Sequence, residues 1–162
     1  YVQALHGTGC RLLDTRKTTP GFRCLEKAAI RHGGGHNHRM GLFDGVMIKD
    51  NHILAAGSIA KAVAKVRARI PPTVRVEVEC ANMAQVRQAL GAGADIIMLD
   101  NMSPERMAKA VAWIDGRCIT EASGRLDLNN IRAAAESGVD YAAVGALTHV
   151  AKAADIALDL EG

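Results

Sequence analysis

The 162 residues contain four cysteines, Cys10, Cys24, Cys80 and Cys118, and no C-x-x-C pair. That spacing argues against a disulfide framework or a zinc ribbon, and we expect buried free thiols. Aromatic side chains make up only 3% of the chain, although 49% is hydrophobic. The apolar content is therefore Ala, Val, Ile and Leu, which suits helices packed on a parallel sheet better than a β-sandwich. No apolar run approaches the roughly 18 residues that a membrane span needs. Lys and Arg number 20 against 17 Asp and Glu. An excess of this size does not by itself call for a nucleic-acid partner. With no signal-peptide pattern either, we expect a cytoplasmic protein with no nucleic-acid or membrane partner. The chain opens at Tyr1 rather than Met, and we expect a piece of a longer protein, with residues 1–162 forming one domain.

What the chain does have is a rhythm of short apolar runs alternating with helix patterns. The runs are RLLDTR (Arg11 to Arg16), VMIKDN (Val46 to Asn51), VRVEVE (Val74 to Glu79), DIIMLDN (Asp95 to Asn101), RCITEAS (Arg117 to Ser123) and DYAAVGAL (Asp140 to Leu147). Between them, Ile59, Val63, Val66 and Ile70 form a stripe at helical spacing. Asn82 and Ser103 stand as N-caps, with Pro104 at a first helical position, and Gly138 as a C-terminal stop. Such alternation predicts βα units and a parallel sheet, hence an α/β fold. Almost every run ends in a chemically capable residue. An open doubly wound sheet gathers its site near one switch point, whereas a βα barrel turns every strand end toward one mouth. Capable residues on six successive ends predict a barrel, open or incomplete.

A barrel would bring Arg16, Lys17, Arg39 and Lys49 together, with His38 and His52 alongside. Four cations around one cavity repel one another unless anions enter it. The competing reading is a solvated basic loop, but Lys49 directly follows the apolar Val46-Met47-Ile48. Glu79 and Asp100 end adjacent strands, a placement that suits a hard divalent cation such as Mg²⁺ or a set of salt bridges. Glu77 shares the parity of Glu79 and should share its face, where an acid is costly unless paired. The glycines of Ser123-Gly124-Arg125 and Val144-Gly145 fit either phosphate binding after late barrel strands or ordinary turns. His32, His36 and His38 lie in HGGGHNHR. They fit a flexible glycine hinge carrying His38 and Arg39 better than zinc, for no Cys or acid completes a ligand set.

Taken in order, DTRKTTPGFR, GGGHNHRMGLFDGVMIKDNHI, VEVE, IMLDN, EASG and GVDYAAVGALTH resemble the C-terminal part of the quinolinate phosphoribosyltransferases, the nicotinate-nucleotide pyrophosphorylases of NAD synthesis. The resemblance covers nearly the whole chain. It implies an open α/β barrel of the type II phosphoribosyltransferase kind, preceded by an N-terminal sandwich domain. It also implies a transfer from 5-phosphoribosyl 1-diphosphate to quinolinate with Mg²⁺, giving nicotinate mononucleotide, diphosphate and CO₂. Carried over by position, Arg16, Lys17, His38, Arg39 and Lys49 form a basic pocket for the quinolinate carboxylates and the diphosphate. Glu79 and Asp100 lie at the metal and ribose side, and with Lys49 they carry the catalytic roles. Ser123, Gly124, Gly145 and His149 fall near the 5-phosphate. A homodimer with a shared site is implied, a partner segment adding a basic residue. The sequence departs from the family pattern at Arg125, where Gly or Asn is expected, at Val150 where Ser is common, and at Ala81 where an acid is usual. The alternatives are a paralogous transferase for another acidic heterocycle and a non-catalytic anion-binding barrel.

Overall fold

The structure is a computed structural model that describes residues 1–160. A short 3₁₀ turn, Gln3–Leu5, leads into six strands and seven helices. The strands are β1 (Arg11–Leu13), β2 (Val46–Ile48), β3 (Val76–Cys80), β4 (Ile96–Asp100), β5 (Ile119–Ser123) and β6 (Tyr141–Ala143). Between and after them come α1 (Arg23–His32), α2 (Asp50–Ala56), α3 (Ile59–Arg67), α4 (Met83–Gly91), α5 (Pro104–Ile114), α6 (Ile131–Glu136) and α7 (Ala146–His149). All pairings are parallel, in the order β1-β6-β5-β4-β3-β2. This is the open α/β barrel that the strand ends predict. Among the described residues, no helix is long and apolar enough to cross a membrane.

Alternation along the strands sorts the residues. Val76, Val78, Cys80, Ile97, Leu99, Ala122 and Ala142 turn outward and are fully buried. They pack against Ile59 and Val63 of α3, Val86 and Ala89 of α4, Met107 and Ile114 of α5, and Ile131 of α6. The other face carries Glu77, Glu79, Met98, Asp100, Glu121 and Ser123, so the barrel interior is polar. Caps open the helices: Asn82 Oδ1 accepts from Gln85 N–H as expected, and Ser58 Oγ accepts from Lys61 N–H. Ser103 caps α5 by position, without a side-chain bond.

Three expectations change. Asp50 and Asn51 open α2 rather than ending a strand, because β2 stops at Ile48 and Lys49 becomes the N-cap. The His32–Arg39 segment is no hinge. His36 bridges to Leu13, accepting from Asp14 N–H at 3.1 Å and donating to Leu12 O at 2.8 Å. It thus extends the sheet beyond β1, while Arg39 Nη1 reaches Gly45 O at 3.3 Å beside the start of β2. Of the four free thiols, Cys10 and Cys80 are buried as expected, whereas Cys118 is half-buried and Cys24 is exposed on α1. Burial pushes the Cys10 thiol to about 11 and the Cys80 thiol to about 12, which keeps both protonated and inert.

What pins the Asn37–Arg39 stretch is a buried ion pair. Lys27 of α1 is 1% exposed and Asp14, just after β1, is 0% exposed. Lys27 Nζ donates to Asp14 Oδ1 at 2.6 Å and to His38 O at 3.0 Å. Asp14 also accepts from His38 N–H at 2.8 Å and from Asn37 Nδ2 at 2.6 Å. Removing one member of such a pair leaves an unpaired buried charge, and we predict that Lys27→Met lowers the unfolding free energy by about 3–5 kcal/mol. Denaturant titration checks this; a loss below about 1 kcal/mol, the scale of a surface pair, would contradict the anchoring role.

Candidate active site

A cavity of about 660 Å³ opens at the C-terminal ends of the strands. Arg16, Lys17, His38, Arg39, Lys49, Glu79, Asp100, Ser123, Gly124, Gly145 and His149 all line it. The structure therefore brings every predicted site residue to one mouth. His52 stays outside it: its Nδ1 accepts the Lys49 N–H at 2.9 Å, within the cap of α2. Arg23 is also absent from the lining. Its guanidinium holds the loops instead, donating to Thr18 Oγ1, Met40 O and Arg16 O at 3.0–3.3 Å.

The cations are unequally satisfied. Lys49 Nζ forms a short ion pair with Glu79 Oε2 across β2 and β3. Arg16 Nε is buried with no protein partner. Burial, followed by the neighbouring Arg16 charge, lowers the affinity of the Arg39 guanidinium for its proton, while Glu77, Asp44 and Glu121 offset this. An anion placed between Arg16 and Arg39 would relieve both the orphaned donor and the repulsion.

The opposite rim is built from close backbone approaches. Gly124 has φ +97°, and a Cβ there would lie 2.5 Å from Asn101 Oδ1, so only glycine fits. Asn101 N–H in turn donates to Ser123 O at 2.9 Å, and its side chain donates to Asp100 Oδ2 at 2.6 Å. Arg125 adopts φ +52°, the left-handed region that Gly or Asn enters most easily. It lines the cavity and adds a fifth cation to the mouth.

Below the mouth lies a group the residue spacing did not reveal. His38 Nε2 is 3.0 Å from Glu77 Oε2 and 3.5 Å from Glu121 Oε2. Glu77 is thus paired, as an inward acid must be. Burial, then the Glu77 charge and the hydrogen bond between the two carboxyls, raises the Glu121 pKa well above the ordinary carboxylate range. Among the described residues this trio is the one His/acid group close enough to hold a metal ion, and neither His32 nor His36 joins it. Glu121 could have been found by parity, since it lies two residues before Ser123. Asp14 and Lys27 carried no local signal, for their partnership spans thirteen residues and exists only once α1 packs on β1.

The sequence profile described as quinolinate phosphoribosyl transferase, C-terminal domain, matches residues 1–159. A probable nicotinate-nucleotide pyrophosphorylase [carboxylating] of Bacillus subtilis is 46% identical over 159 residues, covering 98% of this chain and 55% of that protein. The nicotinate-nucleotide pyrophosphorylase [carboxylating] of Mycobacterium leprae is 46% identical over 163 residues, covering 99% and 57%. The crystal structure of NadC from Streptococcus pyogenes superposes with a TM-score of 0.91 at 48% identity, covering 96% of this chain and 54% of that one. A nicotinate-nucleotide pyrophosphorylase from Pyrococcus furiosus, at 17% identity and a TM-score of 0.70, shares the fold. The chain spans about half the length of the curated relatives it matches. It belongs to the quinolinate phosphoribosyltransferase family, as that family's C-terminal domain.

Proposed function

We propose that this cavity binds quinolinate and 5-phosphoribosyl 1-diphosphate, and that the intact protein joins them with loss of CO₂ to give nicotinate mononucleotide and diphosphate in NAD synthesis. The observation that carries the reading is the buried, unpartnered Arg16 Nε within a ring of five cations. A pyridine dicarboxylate supplies the anions that such a ring requires. The family membership and the names of the relatives support the same substrates.

In this reading Arg16 and Arg39 take the ring carboxylates, and Lys49 serves the carboxylate beside the ring nitrogen. Ser123, Gly124, Gly145 and His149 line the side that receives the 5-phosphate, with Lys17 and Arg125 adding charge. The ring nitrogen attacks the anomeric carbon as the C–O bond to diphosphate breaks. Cations facing the departing oxygen stabilise the charge it gains, and holding both substrates in line supplies much of the acceleration. The quaternised ring then accepts the electron pair left when the adjacent carboxylate departs as CO₂, and a proton takes its place. No covalent enzyme intermediate is needed.

Glu79 and Asp100 offer hard oxygen donors at the mouth, with the Asp100 carboxylate already held by Asn101, and this donor chemistry fits Mg²⁺. When bound there the ion would offset charge on the diphosphate. We read the chain as the barrel of a longer cytoplasmic protein with an N-terminal sandwich domain, working as a homodimer with a shared site.

Two outcomes test the reading in the intact protein. Calorimetry should show quinolinate binding at least about tenfold tighter than nicotinate, since the second carboxylate gains a charge-assisted bond. Equal affinities would overturn the assignment. Lys49→Ala should raise the quinolinate Kd by about tenfold or more on the same scale, and an unchanged Kd would remove Lys49 from the pocket.

A further inference from the structure

The barrel interior is divided. Beneath the mouth lies a second cavity of about 450 Å³, bordered by the first residues of the strands, including Val46, Ile96, Ile119 and Tyr141. His38, Arg39 and Glu121 border both spaces. These residues form the floor between them, and Glu77 faces the lower side.

The floor is wired in one direction. Arg39 N–H donates to His38 Nδ1 at 2.7 Å. That nitrogen therefore presents its lone pair, and the neutral ring carries its proton on Nε2. Nε2 in turn lies 3.0 Å from Glu77 Oε2, with Glu121 Oε2 at 3.5 Å. Nδ1 is thus engaged within the protein, and Nε2 lies against the two acids. The ring's other bonds fix its backbone: His38 N–H and C=O are held by Asp14 and Lys27. A protonated Nε2 also argues against reading the trio as a metal centre, since a ligating imidazole must offer that lone pair. Glu77 and Glu121 are 2% and 1% exposed, and the Oε1 atom of each has no protein partner. Two such acids are expensive to bury for structure alone.

We propose that Glu77 and Glu121 are positioning residues for the anion pocket: they flank His38 Nε2 from below, and His38, through its Nδ1, fixes the Arg39 backbone that carries the guanidinium into the mouth. The relay runs carboxyl, imidazole, amide, guanidinium. It is completed by the Arg39 Nη1 contact with Gly45 O, so that Arg39 is held at both ends. The role given to Arg39 rests on the function proposed above; the geometry of the relay does not.

The test has two arms on the intact protein. In the first, ¹⁵N NMR of the imidazoles, without substrate, should show His38 protonated on Nε2 in the wild type. In Glu77→Gln, the loss of the carboxyl beside Nε2 should shift that equilibrium toward the Nδ1–H form. In the second, Glu77→Gln should raise the quinolinate Kd and KM by about tenfold, the scale of one lost polar contact, while kcat changes by less. Glu121→Gln, whose contact is longer, should have a smaller effect in the same direction. A wild-type His38 carrying its neutral-state proton on Nδ1 would overturn the proposal even if every variant failed to fold. So would a folded Glu77→Gln protein that lost thermal stability but kept its wild-type Kd. Failure of the wild type to bind quinolinate, with the tautomer as expected, would instead overturn the assigned substrate and leave the relay standing.

Discussion

The Asp14–Lys27 pair is the constraint on which the site depends. The sheet has two free edges, at β1 and β2, and short strands at both. A three-residue strand has too few ladder bonds to hold the chain crossing that gap. One carboxylate does so instead, accepting from a lysine, a backbone amide and an asparagine at once. Desolvating both charges is offset only because every bond is short and well partnered. The pair sits where α1, β1 and the Asn37–Arg39 stretch meet, so it fixes His38 and Arg39 before any ligand arrives.

Charge within the mouth is arranged in two tiers. At the rim, Lys49 and Glu79 neutralise one another across neighbouring strands. Deeper, Arg39 lies among Glu77 and Glu121 below and Arg16 beside it. The acids keep the arginines from repelling one another unopposed, yet their carboxyls lie against His38 and against each other rather than in the guanidinium forks. The forks therefore remain available to planar anions, which is the geometry that Arg recognises best.

Much of this was legible in the sequence, and the limits have physical causes. The period-two alternation of Val76, Glu77, Val78 and Glu79 marks both faces of β3, and the cap at Asn82 marks a helix start. These are local signals, and they held. The helix α1 was missed because its start, Phe22-Arg23, follows a Thr-Thr-Pro-Gly turn with no capping side chain. Glycines 33 to 35 imitated a hinge, although Gly35 is there for close packing: a Cβ would approach Ile30 Cγ2 to 2.8 Å. Arg125 looked anomalous until its left-handed backbone explained why smaller residues are usual there. Partnerships across the fold, such as Asp14 with Lys27 and His38 with Glu121, leave no trace in spacing.

The divided interior has a consequence for solvent. A hollow barrel with polar walls would conduct water from one end to the other. The layer of His38, Arg39, Glu77 and Glu121 works as a bulkhead between the upper and lower spaces. The transfer proposed for the mouth builds positive charge on a sugar carbon, which water arriving from behind would capture. Closing that rear approach with polar side chains rather than an apolar plug would limit hydrolysis during such a transfer and still keep charged groups at the floor.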